Sequence, residues 1–81
     1  MKTVTFYHSV ICPRCQMAGL SLSSLLPAFP NVEINKVEYL TNLGRAKKEG
    51  VRSIPTLVAD GQTLVGMYLT KKRIKSFLKS L

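Results

Sequence analysis

The tetrad Cys12-Pro13-Arg14-Cys15 constrains the fold most, because it stands where one periodicity ends and another begins. Before it, Thr3 to Tyr7 alternates as a strand does, with Val4 and Phe6 on one face, and Val10 and Ile11 lead into the cysteines. After it, Cys15, Ala18, Leu22, Leu25 and Leu26 recur at helical spacing, so the segment from Pro13 to Leu26 reads as a helix. Pro13 suits the first turn of that helix, where its missing N–H has no partner to lose. Two cysteines this close form a ring too small to restrict the unfolded chain much, which argues against a purely structural staple.

The remaining elements follow in order. Pro27 and Pro30 stop the first helix, and Val32 to Val37 reads as a second strand. The apolar phase shifts between Ile34 and Val37, which predicts a bulge or an early end. Thr41 or Asn42 can cap a short helix over Leu43 to Glu49, weakened by Gly44 and closed by Gly50. Beyond Pro55, Thr56 to Ala59 and Thr63 to Val65 are β-rich and joined by Asp60-Gly61-Gln62, a hairpin signal. Thr70 opens a last helix whose Ile74, Phe77, Leu78 and Leu81 share a face. The order is βαβαββα, with the first two strands parallel by the right-handed crossover rule. This predicts an α/β fold: a four-stranded mixed sheet flanked by three helices, lying on both of its faces.

At 81 residues and 46% hydrophobic, residues 1–81 form a single domain, since two halves would each be too small to bury a core. No apolar run approaches the roughly 20 residues of a spanning helix, so no membrane partner is assigned. The alternating start, MKTVTFYHSV, lacks the apolar centre and small-residue cleavage site of a leader and reads as the first strand. The expected setting is cytoplasmic and the expected state monomeric. Twelve Lys+Arg against four Asp+Glu leave a net charge of +8. Only Lys71, Lys72, Arg73, Lys75 and Lys79 cluster, and the one aromatic residue among them, Phe77, falls on the apolar face of the helix and is not free for base stacking, so nucleic acid is not assigned as a partner. The cluster reads as a solvated helix face or as a docking surface for an acidic reductase or substrate.

A Cys-x-x-Cys pair at a helix N-terminus brings its sulfurs within bonding reach, because residues three apart lie on nearly the same face. Cys12, at the cap, is expected to be the nucleophile, its thiolate favoured by free N–H groups and the positive end of the helix dipole. Cys15, a turn further in, is expected to be the shielded resolving thiol, attacking a mixed disulfide held on Cys12. Pro13 and Arg14 are expected to tune the pair, Arg14 through its charge. Tyr7 and His8 lie close enough in sequence for one to assist proton transfer, although His8 reads more readily as a structural or solvated side chain. Other readings of the cysteines stay open. They could be buried structural residues. A zinc site would need ligands beyond Cys12, Cys15 and His8. Soft thiolates in a loop after a first strand also suit copper(I). Copper-carrying domains, however, are similar to βαββαβ and end on a strand, and Pro13 would stiffen a loop that a metal carrier needs supple. No metal or other cofactor is assigned.

Two motifs together resemble the thioredoxin superfamily, and the length and first half look most like its small glutaredoxin-like redoxins. One is Cys12-Pro13-Arg14-Cys15 after the first strand, similar to the glutaredoxin Cys-Pro-x-Cys site. The other is the run Gly50 to Val58 with Ser53-Ile54-Pro55-Thr56, which looks like the thioredoxin segment that carries a cis-proline. With Gly66 and the last helix, the resemblance spans nearly the whole chain. It implies a thioredoxin-like fold and a protein-disulfide oxidoreductase needing no cofactor of its own. It further implies protein disulfides as substrates, with a thioredoxin reductase-type flavoprotein or glutathione as electron donor. By the same resemblance Pro55 is cis beside the sulfurs, the Ile54 backbone pairs with the substrate chain, and Ser53 and Gly66 border that surface. Two departures stand out. Val65-Gly66-Met67-Tyr68-Leu69-Thr70 replaces the Gly-Gly pair and acidic residues of glutathione-binding glutaredoxins. Thioredoxin's Trp before the first cysteine and its buried acid are replaced by Ile11 and Phe6.

Overall fold

In a computed structural model that describes residues 1–66 and 68–81, β1 (Lys2–His8) is an inner strand whose two faces feed two separate cores. It leads to α1 (Pro13–Leu25), a 3-10 turn (Leu26–Ala28) and β2 (Val32–Glu38). There follow α2 (Leu43–Lys48), β3 (Thr56–Ala59), β4 (Gln62–Val65) and α3 (Lys71–Lys79). The sheet order is β2-β1-β3-β4, with β1 and β2 parallel and the other two pairings antiparallel. The expected element order, βαβαββα, and a mixed sheet are present.

Alternation along the strands decides which core each side chain enters. Val4 and Phe6 of β1, Leu57 and Ala59 of β3, and Val32 and Ile34 of β2 meet Ala18, Leu22 and Leu25 of α1 and Ile74, Phe77 and Leu78 of α3. On the opposite face Tyr7, Val37 and Val58 meet Ala46 of α2, Val51 and Ile54. The phase change between Ile34 and Val37 is therefore a change of core. β2 runs unbroken in register with β1, from Lys2 opposite Val32 to His8 opposite Glu38, and the expected bulge or early end is absent.

Boundaries shift modestly. α1 ends at Leu25, and Pro27 enters the 3-10 turn, where the tighter winding absorbs a residue that cannot continue an α-helix. α2 ends at Lys48, and Gly50 takes φ +77° just past it. Asn42 holds the cap position of α2 but makes no capping bond. Its amide instead donates to the Glu38 carbonyl at 2.8 Å. Asp60 and Gly61, at φ 51° and 72°, make the β3–β4 turn in two residues, so Gln62 belongs to β4. Thr70 caps α3, its hydroxyl accepting from the Arg73 amide at 3.3 Å.

Candidate active site

β1 delivers the chain to the sheet end where α1 begins, and a short hydrogen-bonded loop makes the junction. The Cys12 amide donates to the Ser9 carbonyl at 3.1 Å, and the Gln16 side-chain amide reaches back to the Val10 carbonyl at 3.1 Å. Cys12 then serves as N-cap of α1: its Sγ accepts the Cys15 N–H at 3.2 Å. Pro13 follows as the first helical residue. This places one partly exposed sulfur among the orphan N–H groups of a helix N-terminus, where negative charge is favoured.

Cys15 lies one turn in and is only 2% exposed. Burial first, and the hydrogen bond with Cys12 second, push its thiol up to about 12. The Ser9 backbone and the Arg14 charge oppose that shift. Both cysteines are free thiols here. Among the described residues, no cluster of three or more His, Cys, Asp and Glu side chains includes them.

The sheet register carries the second motif to the same end. Tyr7 of β1 pairs with Thr56 of β3, so Pro55 immediately precedes the β3 residue facing the end of β1. The Ile54–Pro55 bond is cis, and Pro55 is buried. Ser53 is exposed, its carbonyl accepting from the Thr56 hydroxyl at 2.7 Å, and Ile54 packs its side chain into the smaller core. Gly66 plays a structural part that its sequence context did not suggest. A Cβ there would overlap the Arg73 guanidinium, which donates to the Val65 and Tyr68 carbonyls at 3.1 Å each and so ties β4 to α3. Met67, part of the run that departs from the glutaredoxins, lies outside the described residues.

Two neighbours weighed as proton carriers sit differently. Tyr7 points into the smaller core, and its buried hydroxyl has no hydrogen-bond partner among the described residues. Burial, and then the nearby Glu49 carboxylate, raise its pKa. His8 stacks on Phe6 with ring centroids 5.2 Å apart.

Glu38 was missed by sequence reasoning. Its carboxylate accepts the Val10 N–H at 3.1 Å and the Leu40 N–H at 3.2 Å, so it braces the loop that carries Cys12. Partial desolvation raises its pKa, but the Leu40 and Val10 amides, the Ser9 hydroxyl and the His8 charge outweigh this and lower it. The available signal was positional: a carboxylate ending a parallel strand beside the strand that feeds the dithiol loop.

Comparison with known proteins agrees with this geometry. The thioredoxin family profile matches residues 2–80. Among solved structures, mitochondrial thioredoxin 3 of Saccharomyces cerevisiae, in its oxidised form, superposes with TM-score 0.84 at 27% identity, covering 99% of this chain and 78% of that one. A mutant thioredoxin from Halobacterium salinarum gives 0.82 at 26%, covering 98% and 73%. Thioredoxin O2 of Arabidopsis thaliana gives 0.80 at 24%, covering 100% and 75%, a likeness of fold. No match was found among curated protein sequences. A βαβαββα chain with a dithiol at the tip of its first helix and a cis-proline at the same sheet end, matched along nearly its whole length, belongs to the thioredoxin family.

Proposed function

We propose that the chain is a dithiol carrier that reduces protein disulfides through Cys12 and Cys15. The observation that carries this reading is the contrast between the two sulfurs: Cys12 Sγ caps α1 and accepts the Cys15 N–H at 3.2 Å, while Cys15 is buried behind it. A hydrogen bond to the sulfur strengthens as the sulfur becomes negative, so Cys12 is the group suited to attack. Its thiolate displaces one sulfur of a substrate disulfide, which leaves as a thiolate and takes up a proton. Cys15 gives that proton to the departing substrate thiolate, and its sulfur then attacks Cys12 Sγ, releasing the second substrate sulfur as a thiolate that solvent protonates and leaving a Cys12–Cys15 disulfide. Two electrons pass to the substrate, and an external donor restores the dithiol.

Pro13 fixes the first helical turn, and the Arg14 charge favours ionisation of Cys15 against burial. The Ser53-Ile54-Pro55 segment, at the same sheet end, offers backbone to a substrate strand, with Gly66 at the far side of that surface. A flavoprotein thioredoxin reductase or glutathione is the proposed donor, and a monomer in the cytoplasm the proposed setting. No helix among the described residues is long and apolar enough to cross a membrane.

The test is insulin disulfide reduction, driven in parallel by NADPH with thioredoxin reductase and by glutathione with glutathione reductase. The unaltered protein should turn over in one of the two systems. Cys12→Ser should be inactive, and Cys15→Ser should accumulate a mixed disulfide on Cys12. Equal activity in Cys12→Ser would remove Cys12 as nucleophile, and stoichiometric copper or zinc in protein purified under reducing conditions would favour a metal carrier instead.

A further inference from the structure

Charge is not spread evenly over this molecule. α1 carries Arg14, and α3 carries Lys71, Lys72, Arg73, Lys75 and Lys79; neither helix contains an acidic residue. The four carboxylates all lie elsewhere, Glu33 and Glu38 on β2, Glu49 after α2, and Asp60 in the hairpin. Asp60 is paired with Lys2 at 2.6 Å and Glu49 with Arg45 at 3.6 Å. The two helices that cover one face of the sheet therefore form a layer of a single sign. Between them runs a groove of about 310 Å³, apolar along Pro13, Met17, Tyr68 and Leu69 and cationic at Arg14 and Lys71. Met17 is 68% exposed and Tyr68 66%, an unusual amount of bare apolar surface beside so much charge. Pro13 adjoins Cys12, so a chain joined to Cys12 Sγ has the groove at hand.

We infer that this groove and the lysine row beside it dock an acidic, apolar polypeptide segment flanking the disulfide presented to Cys12. The inference rests on the dithiol-carrier reading and names its substrate class. Lys71, Lys75 and Lys79 recur at i, i+4 and i+8 along one flank of α3 and reach about 12 Å from the groove at the helical rise. A tripeptide thiol covers Arg14 and Lys71 but not the far end of that row; an extended polypeptide covers it all. The groove is concave, which suits side chains in it better than the flat surface of a bilayer. No aromatic residue stands among the α3 lysines to stack with bases except the buried Phe77.

The experiment measures binding apart from catalysis. Fluorescence anisotropy follows a labelled, cysteine-free peptide alternating Leu with Glu, added to the reduced protein. A matched Leu–Lys peptide, glutathione, a single-stranded RNA and anionic lipid vesicles serve as competitors. Expected are tighter binding of the acidic peptide than of any competitor and loss of about tenfold in affinity between low and high salt. Lys75→Glu with Lys79→Glu should weaken binding about tenfold, whereas Lys47→Glu with Lys48→Glu on α2 should leave it within about twofold. Equal binding of the two peptides, equal effects of the two double variants, or tighter binding of glutathione, RNA or vesicles would overturn the docking. Insulin reduction by the same preparation separates the two ideas: turnover without peptide preference defeats the docking alone, and no turnover defeats the redox reading.

Discussion

At the scale of single residues, the buried thiol makes the sharpest prediction. Because Cys15 is pushed up to about 12 from an ordinary 9.0, the folded reduced protein keeps its proton where the unfolded chain has released it. Stability is therefore fully present below pH 9 and falls as pH rises from there toward 12, by about 1.4 kcal/mol per pH unit at most. Urea unfolding of the reduced protein at a series of pH values checks this, and Cys15→Ser should remove the fall that begins at pH 9, leaving the part that Tyr7, also raised by burial, adds above pH 10. The two cysteines were legible because a strand, a dithiol and a proline-led helix adjoin in sequence. Glu38 was not, since its value lies in reaching Val10 across a parallel register that brings residues 28 positions apart together. Glu38→Ala should free the Val10 and Leu40 amides. Hydrogen exchange at Val10 is then expected to quicken about tenfold while Phe6 in β1 stays protected, and unchanged exchange would mean the loop holds itself.

Among the elements, α3 shows how packing takes over from local preference. It has only nine residues, too few to persist alone in water, and is held by Ile74, Phe77 and Leu78 against the sheet and α1. Phe77→Ala should therefore cost about 3–5 kcal/mol, read as a lower urea midpoint with an unaltered slope. A loss below about 1 kcal/mol would show that the helix contributes little to the core. The same logic explains where pattern reading strayed. A hairpin was readable because Asp-Gly meets a local backbone demand, though the link was read one residue too long, Gln62 belonging to β4. The course of β2 was not, because its apolar phase serves helices on opposite faces, and of those α2 and α3 come only later in the chain. Asn42 held the expected cap position, yet its amide is drawn off to Glu38 by a contact no helix-cap rule contains.

For the molecule as a whole, the two-faced layering, the parallel first pair and the closing hairpin were legible, since βαβ handedness and one amphipathic last helix leave few arrangements, whereas the strand order that sets β1 inside was not. The distribution of charge between layers was not, because net charge carries no direction until helices are assigned to faces. That segregation bears on how copies of the molecule meet one another. Their dithiol tips lie at the edge of the cationic helical layer, so two copies approaching tip to tip along it oppose like charges. Cross-linking of one copy to another is thereby discouraged before any sulfurs touch, and only in concentrated electrolyte does that mutual avoidance fade.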